Sequence, residues 1–335
     1  MSDVELCYLS ANEAMTRFTD HSLSPVELMQ ALITRSEQVE PHINAFTETY
    51  FEDALQQAKA AEARYQQGSQ RPLEGIPLAV KDEFKLADRR RTSASLVYQD
   101  RVDDENDVII QRLLDAGAIA HAKTTTPEFC LLGSCHSRLW GITHNPWNLD
   151  ITPGGSSGGS GAALAAGTTT IATGTDIGGS IRIPAALCGV VGYKAPYGRN
   201  PELPVSNLDS YSHSGPMARN VNDIAIMQNQ ISGIHNQDIA SLRESVVIDT
   251  AIPSNLDGCK IAWSMDLGFM EVDRSVRDNT LAALELLRSL GASVDEVDIG
   301  WDESIIDAVH HHWAHGWAAS MDSLLETNRD DLCDY

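Results

Sequence analysis

Two glycine-serine turns contain the residues best suited to chemistry in this chain of 335 residues. The first turn covers residues 154–161 and includes Ser156, and the second ends at Ser180. Glycine tolerates positive φ and lets the backbone approach a ligand closely. Between the turns, the alanine-rich residues 162–166 favour a short helix, and the β-branched residues 168–172 favour a strand. Because a flexible linker would lack such ordered elements, the pattern predicts two tight functional loops on a folded core.

A serine becomes an effective nucleophile only when a nearby base removes its proton. No histidine lies between residues 154 and 184, so the segment gives no support for a Ser-His-Asp triad. Instead, it resembles the signature of the amidase signature family, which comprises serine hydrolases with a Ser-Ser-Lys triad. The residues that carry this resemblance are Gly154, Ser156, Gly159, Asp176, Gly178, Ser180, Arg182 and Pro184. The family's second hallmark is a Lys-Asp pair at the end of an apolar strand, and it is present as Lys81 and Asp82.

The resemblance implies a role for each member of the triad. Ser180 would be the nucleophile, Ser156 would relay the proton, and Lys81 would be the final base. A lysine accepts a proton only in its neutral form, and burial lowers a lysine pKa by disfavouring the charged form. We therefore expect the apolar residues 77–80 to deliver Lys81 into a buried setting where its pKa is lowered. The resemblance also implies a cis peptide bond before Ser156.

The second turn is expected to bind the negative charge that develops during acyl transfer. Consecutive N–H groups in a tight turn converge on one point and form an oxyanion hole. The residues expected to supply these groups are Ile177, Gly178, Gly179 and Ser180. A plain helix N-terminus, with a helix over residues 180–187, is the simpler interpretation, and the two are compatible because a helix start also favours negative charge.

Four further residues are expected to support the two turns. Asp176 and Arg182 are predicted to form a structural ion pair that braces the second turn. Ser157 and Thr175 are predicted to be hydroxyls that stabilise the loops. Because hydroxyl groups and an amine carry the chemistry, the sequence implies neither a metal nor an organic cofactor.

Three other groups of reactive or charged residues have plainer interpretations. The histidines of residues 310–315 lack a positioned cysteine or carboxylate motif, so a solvated or pocket-facing patch is favoured over a metal site. Cys130 and Cys135 are too far apart for a Cys-x-x-Cys motif and are predicted to be core or pocket thiols. Glu83 and the arginines 89–91 are predicted to form a charged surface loop at the pocket rim.

Capping and periodicity signals place helices and strands around these residues. Residues 24–27 predict a helix start with a serine cap, and Pro41 is expected to end that helix. A buried strand over 76–80, a helix over 107–116 and a strand over 118–122 follow the order of an α/β sheet. Further elements are expected as strands over 43–50, 189–194, 260–263 and 293–297, and as helices over 51–65, 273–290 and 303–325. Residues 215–219 are expected to open one more helix, with Asn222 or Asp223 near its start.

These elements predict an α/β fold with a mixed central β-sheet covered on both faces by α-helices, which the resemblance also implies. Residues 1–70 are expected to form an N-terminal helical region, in one domain with an amidase signature core over 71–335. Family members are usually longer, so the resemblance implies that this chain is short at its C-terminus. A sheet that stops short leaves an unpaired edge and an uncovered apolar face, so we expect self-association, with a homo-oligomer as one form.

The composition limits the class of protein. A formal net charge of −23 works against general attraction to nucleic acid or anionic lipid. The sequence has no apolar run long enough to span a membrane, and its first residues lack the features of a signal peptide. The six cysteines are scattered through the chain, which favours reduced thiols and predicts a cytoplasmic protein.

The sequence predicts an amidase that hydrolyses a carboxylic amide through a serine acyl-enzyme intermediate. Its expected partner is a small-molecule amide, with no nucleic acid and no membrane. One alternative is the A subunit of a tRNA-dependent glutamine amidotransferase, which has the same triad, although residues 123–127 and 175–177 look more like stand-alone amidases. The other alternative is a truncated family member that keeps the triad but is not catalytic.

Overall fold

The computed structural model describes residues 2–204, 206–251 and 253–335. Contacts divide the chain into two compact units, one of Met1–Thr250 with Asp330–Tyr335 and the other of Ala251–Arg329. The predicted N-terminal region 1–70 therefore falls in the same unit as the two glycine-serine turns. All the residues to which the sequence assigns chemistry also lie in this first unit.

The first unit is built around a mixed β-sheet. Its helices are α1 (Asp3–Cys7), α2 (Ala11–Thr19), α3 (Pro25–Ile43), α4 (Phe51–Gln66), α5 (Val108–Asp115), α6 (Gly158–Ala166), α7 (Arg182–Cys188) and α8 (Val221–Ile231). Its strands are β1 (Phe46–Thr49), β2 (Pro77–Lys81), β3 (Ile119–Thr124), β4 (His136–Ser137), β5 (Gly141–Ile142), β6 (Ile171–Asp176), β7 (Val191–Gly192) and β8 (His213–Ala218). The sheet order is β1-β3-β2-β6-β8-β7, whereas β4 and β5 form a separate two-stranded sheet. The predicted mixed α/β architecture is confirmed.

Each face of this sheet carries its own hydrophobic core, because successive side chains of a strand point to opposite faces. In β2, the buried Leu78 and Val80 pack with residues of α1, α2, α3, α5 and α8. Ala79, also buried, belongs to a second cluster that includes residues of α6 and α7. Helices thus cover both faces, as predicted. Lys81 follows Ala79 by two positions, so strand alternation directs it toward the face on which α6 lies.

The strand directions bring the predicted site residues to one edge of the sheet. Strand β2 runs parallel to both β3 and β6, and the other neighbouring pairs are antiparallel. The carboxyl ends of parallel neighbours meet at the same edge. Lys81 ends β2 and Asp176 ends β6, so the predicted base lies beside the start of the second turn.

Helix α3 begins where the sequence predicts but ends later than predicted. Ser24 and Glu27 form the predicted capping box. The helix does not end at Pro41 but continues to Ile43, and Asn44 closes it in the left-handed conformation with φ 49°. Proline removes one N–H donor, but the helical hydrogen bond beyond it, from the Asn44 N–H to the Glu40 carbonyl oxygen at 2.9 Å, still forms.

Two further boundaries differ from the prediction. The helix expected with Asn222 or Asp223 near its start is α8, which follows Asn220, whose Oδ1 accepts a hydrogen bond from the Asp223 N–H at 2.9 Å. Residues 215–218, expected to open that helix, belong instead to β8. Residues 168–170, expected in a strand, precede β6. The first of their N–H groups donates to the Ala163 carbonyl at 3.0 Å and so closes the end of α6 instead of joining the sheet.

The second unit has the predicted β-α-β order. It comprises β9 (Lys260–Trp263), α9 (Arg274–Ser289), β10 (Ser293–Glu296) and α10 (Ser304–Thr327). Strands β9 and β10 pair in parallel, and Leu284, Ala292 and Val294 are buried in its small core. No helix among the residues described has both the length and the apolar character needed to cross a membrane.

Replacing Ser24 with alanine should lower the free energy of unfolding by about 0.5–2 kcal/mol. Its Oγ accepts hydrogen bonds from the N–H groups of Val26 and Glu27 at 3.0 and 3.2 Å, and both would lose this acceptor. Urea unfolding followed by circular dichroism measures the change. Gln30→Ala, on the exposed side of the same helix, should stay within about 0.5 kcal/mol of the parent. Equal losses in the two variants would contradict a role for the cap.

Candidate active site

Lys81 is fully buried at the end of β2, and three oxygen atoms surround its amine. Its Nζ donates hydrogen bonds to Ser156 Oγ at 2.8 Å and to Thr175 Oγ1 at 2.6 Å. The third oxygen is Glu83 Oε2, at 3.1 Å from Nζ. An ammonium group has three N–H donors, so these three oxygens match its full donor capacity. The surroundings therefore suit a protonated lysine.

The expectation that the pKa of Lys81 is lowered is wrong. Burial does lower the pKa of Lys81, but the Cys130 sulfur and the Glu83 carboxylate raise it by more, and the net shift is upward. Burial raises the pKa of Glu83, but Lys81 and the Thr175 hydroxyl lower it by more, and the net shift is downward. Burial also raises the pKa of Cys130 to about 12, so this thiol keeps its proton at neutral pH. At neutral pH Glu83 is therefore the charged partner of Lys81, and the Cys130 sulfur adds its charge to the upward shift only at the alkaline pH where the thiol ionises.

Glu83 is the residue of this site that sequence reasoning missed. The sequence predicts a charged surface loop at this position, yet Glu83 Oε2 accepts a hydrogen bond from Thr175 Oγ1 at 2.5 Å and pairs with Lys81. Its side chain is 36% exposed, so it lies at the boundary between the buried amine and solvent. The signal that could have identified it is its position, two residues after the lysine, where the strand ends and the chain turns back.

The loop that follows Lys81 is held by buried and partly buried charges. Asp82 is buried, accepts a hydrogen bond from the Thr92 N–H at 3.2 Å, and lies 3.6 Å from Lys123 Nζ. The three arginines of the predicted charged loop are each partly exposed and form ion pairs that hold the loop. The pairs are Arg89 with Asp53, Arg90 with Glu48, and Arg91 with Asp103.

The first turn presents Ser156 to the lysine. Ser156 is fully buried, and the peptide bond between Gly155 and Ser156 is cis, as the resemblance implies. A Cβ at Gly155 would lie 2.6 Å from the carbonyl oxygens of Leu132 and Ser134, so only glycine fits this position. Helix α6 follows directly, and it contains the predicted alanine-rich helix.

Ser180 lies in the second turn, between β6 and α7, and is partly buried. The N–H of Ser157 donates to the Ser180 carbonyl oxygen at 3.0 Å, which joins the two turns. Within the described parts of the chain, no group forms a hydrogen bond with the Ser180 hydroxyl. The structure thus brings Lys81 and Ser156 into contact and places Ser180 in the adjoining turn, without a hydrogen bond between the two serine hydroxyls.

Asp176 organises the second turn. Its carboxylate accepts hydrogen bonds from the N–H groups of Gly179, Ile181 and Arg182 at 2.7, 3.2 and 3.2 Å. The Arg182 guanidinium donates two more at 2.9 Å, and Lys194 Nζ lies 3.2 Å away. Burial raises the pKa of Asp176, but the hydrogen bonds and the charges of Arg182 and Lys194 lower it by more, so it stays well below its usual range. The ion pair expected from the sequence is therefore present and fixes the turn.

These hydrogen bonds decide which N–H groups of the turn are available to a ligand. The N–H of Gly179 donates to the Asp176 carboxylate, so it is not free to stabilise an oxyanion as the sequence predicted. Among the residues that the structure describes, the N–H groups of Ile177, Gly178 and Ser180 have no acceptor. Because α7 begins only at Arg182, the turn is also distinct from a plain helix N-terminus.

The two predicted supporting hydroxyls tie the turns to the sheet. Ser157 Oγ accepts a hydrogen bond from the Thr175 N–H at 3.3 Å and donates to the Thr175 carbonyl oxygen at 3.4 Å. The Thr175 hydroxyl does more than stabilise a loop, because it contacts both Lys81 and Glu83.

The remaining candidates lie as follows. All six cysteines belong to the described residues and are unpaired. Cys135 is buried, and Cys130 lies beside the buried lysine. The histidines of residues 310–315 lie on α10, where His310, His311 and His315 are exposed. In the described part of the chain, no group of three or more histidine, cysteine or acidic side chains is placed to hold a metal ion.

Comparisons with known proteins place this geometry in context. The chain matches the family model described as Amidase over residues 27–332. It is 38% identical over 297 residues to the A subunit of the glutamyl-tRNA(Gln) amidotransferase of Thermobifida fusca (strain YX), and the match covers 88% of this chain but only 60% of that protein. It is 35% identical over 342 residues to an acylamidase of Rhodococcus erythropolis, covering 100% of this chain and 71% of that protein. It also matches the crystal structure of a bacterial aryl acylamidase of the amidase signature family, with a TM-score of 0.91 and 30% identity over 98% of this chain and 70% of that one.

Replacing Asp176 with asparagine should lower the free energy of unfolding at neutral pH by roughly 1–3 kcal/mol, because buried N–H donors lose acceptors. A carboxylate with a lowered pKa in the folded state contributes stability above its ordinary pKa and loses it as the pH falls through the lowered value. The difference in the free energy of unfolding between Asp176→Asn and the parent should therefore be constant near neutral pH and become smaller in acid. Urea unfolding at a series of pH values measures it. The control, Asp53→Asn in the exposed pair with Arg89, should change stability by at most about 1 kcal/mol. A difference that grows in acid would contradict this role of Asp176.

Proposed function

The chain belongs to the amidase family, and from this premise we propose that it hydrolyses a carboxylic amide through a serine acyl-enzyme intermediate. The observation that carries the proposal is the buried contact between Lys81 Nζ and Ser156 Oγ at 2.8 Å, next to the turn that holds Ser180. A base that acts through a serine must lie within hydrogen-bond distance of that serine hydroxyl, whereas a lysine with only a solubilising role at the surface needs no such contact.

In the proposed reaction, Ser180 Oγ attacks the carbonyl carbon of the amide. Its proton passes to Ser156 Oγ while Ser156 gives its own proton to the neutral form of Lys81. The carbonyl oxygen gains the negative charge and is stabilised by the N–H groups of the second turn that have no protein acceptor. When the intermediate collapses, the C–N bond breaks and the amine leaves with a proton returned through Ser156. Water then hydrolyses the ester of Ser180 by the same proton path.

The comparisons support N-acyl amides as the substrate class. The acylamidase of R. erythropolis aligns with the whole of this chain, and the aryl acylamidase structure matches 98% of it. Small-molecule amides in the cytoplasm, without a nucleic acid or a membrane as partner, are part of the proposal, as is self-association of the chain.

A second candidate function is that of an amidotransferase A subunit, which the 38% identity to the T. fusca protein favours. That function would use glutamine as the amide and would require further protein partners. The chain aligns with this relative over 88% of its length, against 100% for the acylamidase, and its strong negative charge does not favour tRNA. We therefore rank it second.

Ser180 should be the residue that a fluorophosphonate or a sulfonyl fluoride modifies, as read by peptide mapping. Ser180→Ala should abolish labelling and turnover, and Ser156→Ala should lower kcat/KM by about 10²–10⁴-fold because the proton path is broken. The exposed Ser69, replaced by alanine, serves as the matched control and should leave both unchanged. A label on another residue, with Ser180 unmodified in an active preparation, would contradict the assignment.

A panel of acyl anilides, aliphatic acyl amides and glutamine should separate the candidate functions. We expect release of amine from one of the acyl amides and no preference for glutamine, as measured by amine-specific detection. Selective turnover of glutamine, with other protein chains that copurify from the native source, would support the amidotransferase function. A chain that neither turns over any amide nor takes up the serine label would be the non-catalytic form.

A further inference from the structure

Glu83 has no part in the proposed proton path, yet its carboxylate lies against the residue on which that path ends. Its Oε2 is 3.1 Å from Lys81 Nζ and accepts a hydrogen bond from Thr175 Oγ1 at 2.5 Å. Thr175 Oγ1 in turn accepts from Lys81 Nζ at 2.6 Å. A hydroxyl has a single proton, so Thr175 can donate to Glu83 only while it accepts from Lys81. The three groups therefore form a closed ring of hydrogen bonds.

This ring favours one protonation state of the lysine. To act as a base, Lys81 must be a neutral amine with its lone pair directed at Ser156. A neutral amine has two N–H donors, so one of the three surrounding oxygens would lose its donor. Glu83 would also keep its negative charge without a counter-ion in a partly buried position. Loss of the lysine proton therefore breaks both the ring and the ion pair.

We propose that Glu83 is a positioning residue that holds Lys81 in its protonated form at neutral pH and so sets the pH at which the base becomes active. In the step concerned, an N–H bond of the Lys81 ammonium breaks and its proton goes to solvent water or hydroxide. The electron pair stays on Nζ, and Glu83 remains ionised throughout. The kinetic consequence rests on the proposed amide hydrolysis, but the protonation state of Lys81 does not.

The other titratable groups around the pair do not replace Glu83 in this role. Among the described residues, Glu83 is the one carboxylate within ion-pair distance of Lys81. Cys130 and Cys135, which follow β3, also interact with the lysine, but burial raises the pKa of both thiols, so they are uncharged at neutral pH. Glu202, which precedes β8, interacts with Glu83. Burial raises the pKa of Glu202 to about 7, so it is partly protonated near neutrality, and its charge repels that of Glu83.

Glu83→Gln isolates the charge, because a glutamine has the same size and its side-chain oxygen still accepts from Thr175 Oγ1. The rising limb of the pH profile, in which activity increases as Lys81 loses its proton, should move to lower pH by about 1–3 units. It is read from kcat/KM or from the rate of labelling by phenylmethylsulfonyl fluoride. Glu83→Asp keeps the charge and should retain a limb closer to that of the parent. Glu105→Gln removes the same charge from an exposed pair with Lys85, at 2.5 Å, and should leave the limb unchanged.

Nuclear magnetic resonance of protein labelled with ¹³C-lysine reads the protonation of Lys81 without any turnover. The chain has six lysines, so the Lys81 signal is identified as the one lost in Lys81→Met. In the parent it should remain protonated beyond the ordinary lysine value of about 10.4. In folded Glu83→Gln the titration midpoint should fall by the same 1–3 units as the kinetic limb.

The outcomes separate this proposal from the proposed function. A parent midpoint below the ordinary lysine value overturns the role of Glu83, even if the variants do not fold. An unchanged midpoint in Glu83→Gln, or an equal fall in Glu83→Asp, also overturns it. If the midpoint falls as expected but the parent takes no serine label at any pH, the role of Glu83 stands and the proposed hydrolase function fails.

Discussion

A positive charge enclosed in the protein is the constraint on which the rest of this site depends. Lys81 is fully buried, and an ammonium group without partners in such a place is strongly unfavourable. Its three acceptors come from three separate segments: Ser156 from the first turn, Thr175 from the end of β6, and Glu83 from the loop after β2. The parallel pairing of β2 with β6 brings these segments together. The arrangement of these three segments therefore supplies the hydrogen-bond acceptors that the buried amine of Lys81 needs.

The neighbouring strand repeats the arrangement with a second lysine. Lys123 on β3 is also fully buried, and its Nζ donates to the carbonyl oxygens of Phe84 and Arg90, both at 2.8 Å. Its acidic partner is Asp82 at 3.6 Å, whereas Lys81 takes Glu83. Two adjacent acidic residues in the turn after β2 thus pair with two different lysines. One lysine anchors the loop, and the other is left in contact with a serine.

The sequence predicted those features that depend on local signals. The cap at Ser24, the buried strand before Lys81 and the two glycine-serine turns each follow from a few adjacent residues. What it did not predict depends on contacts made in three dimensions. The charge of Lys81 is set by how Glu83 turns back at the strand end, although burial alone argues for the opposite shift. The loss of Gly179 as an oxyanion donor follows from the reach of Asp176, and residue spacing does not reveal it.

The Lys81–Glu83 ion pair stabilises the folded site, whereas the proposed chemistry requires Lys81 to lose the charge on which that pair depends. A lysine whose pKa is raised in the folded state contributes stability that is fully present below its unfolded pKa, and this stability is lost as the pH rises through the folded value. The same rise in pH converts Lys81 into the form that can accept a proton from Ser156. The fold therefore loses the contribution of the Lys81–Glu83 pair in the pH range where the base becomes active. Asp176 has no such conflict, because its partners Arg182 and Lys194 lie outside the proposed proton path. The second turn can therefore stay ordered by charge while Lys81, at the end of β2, loses its charge to act as the base.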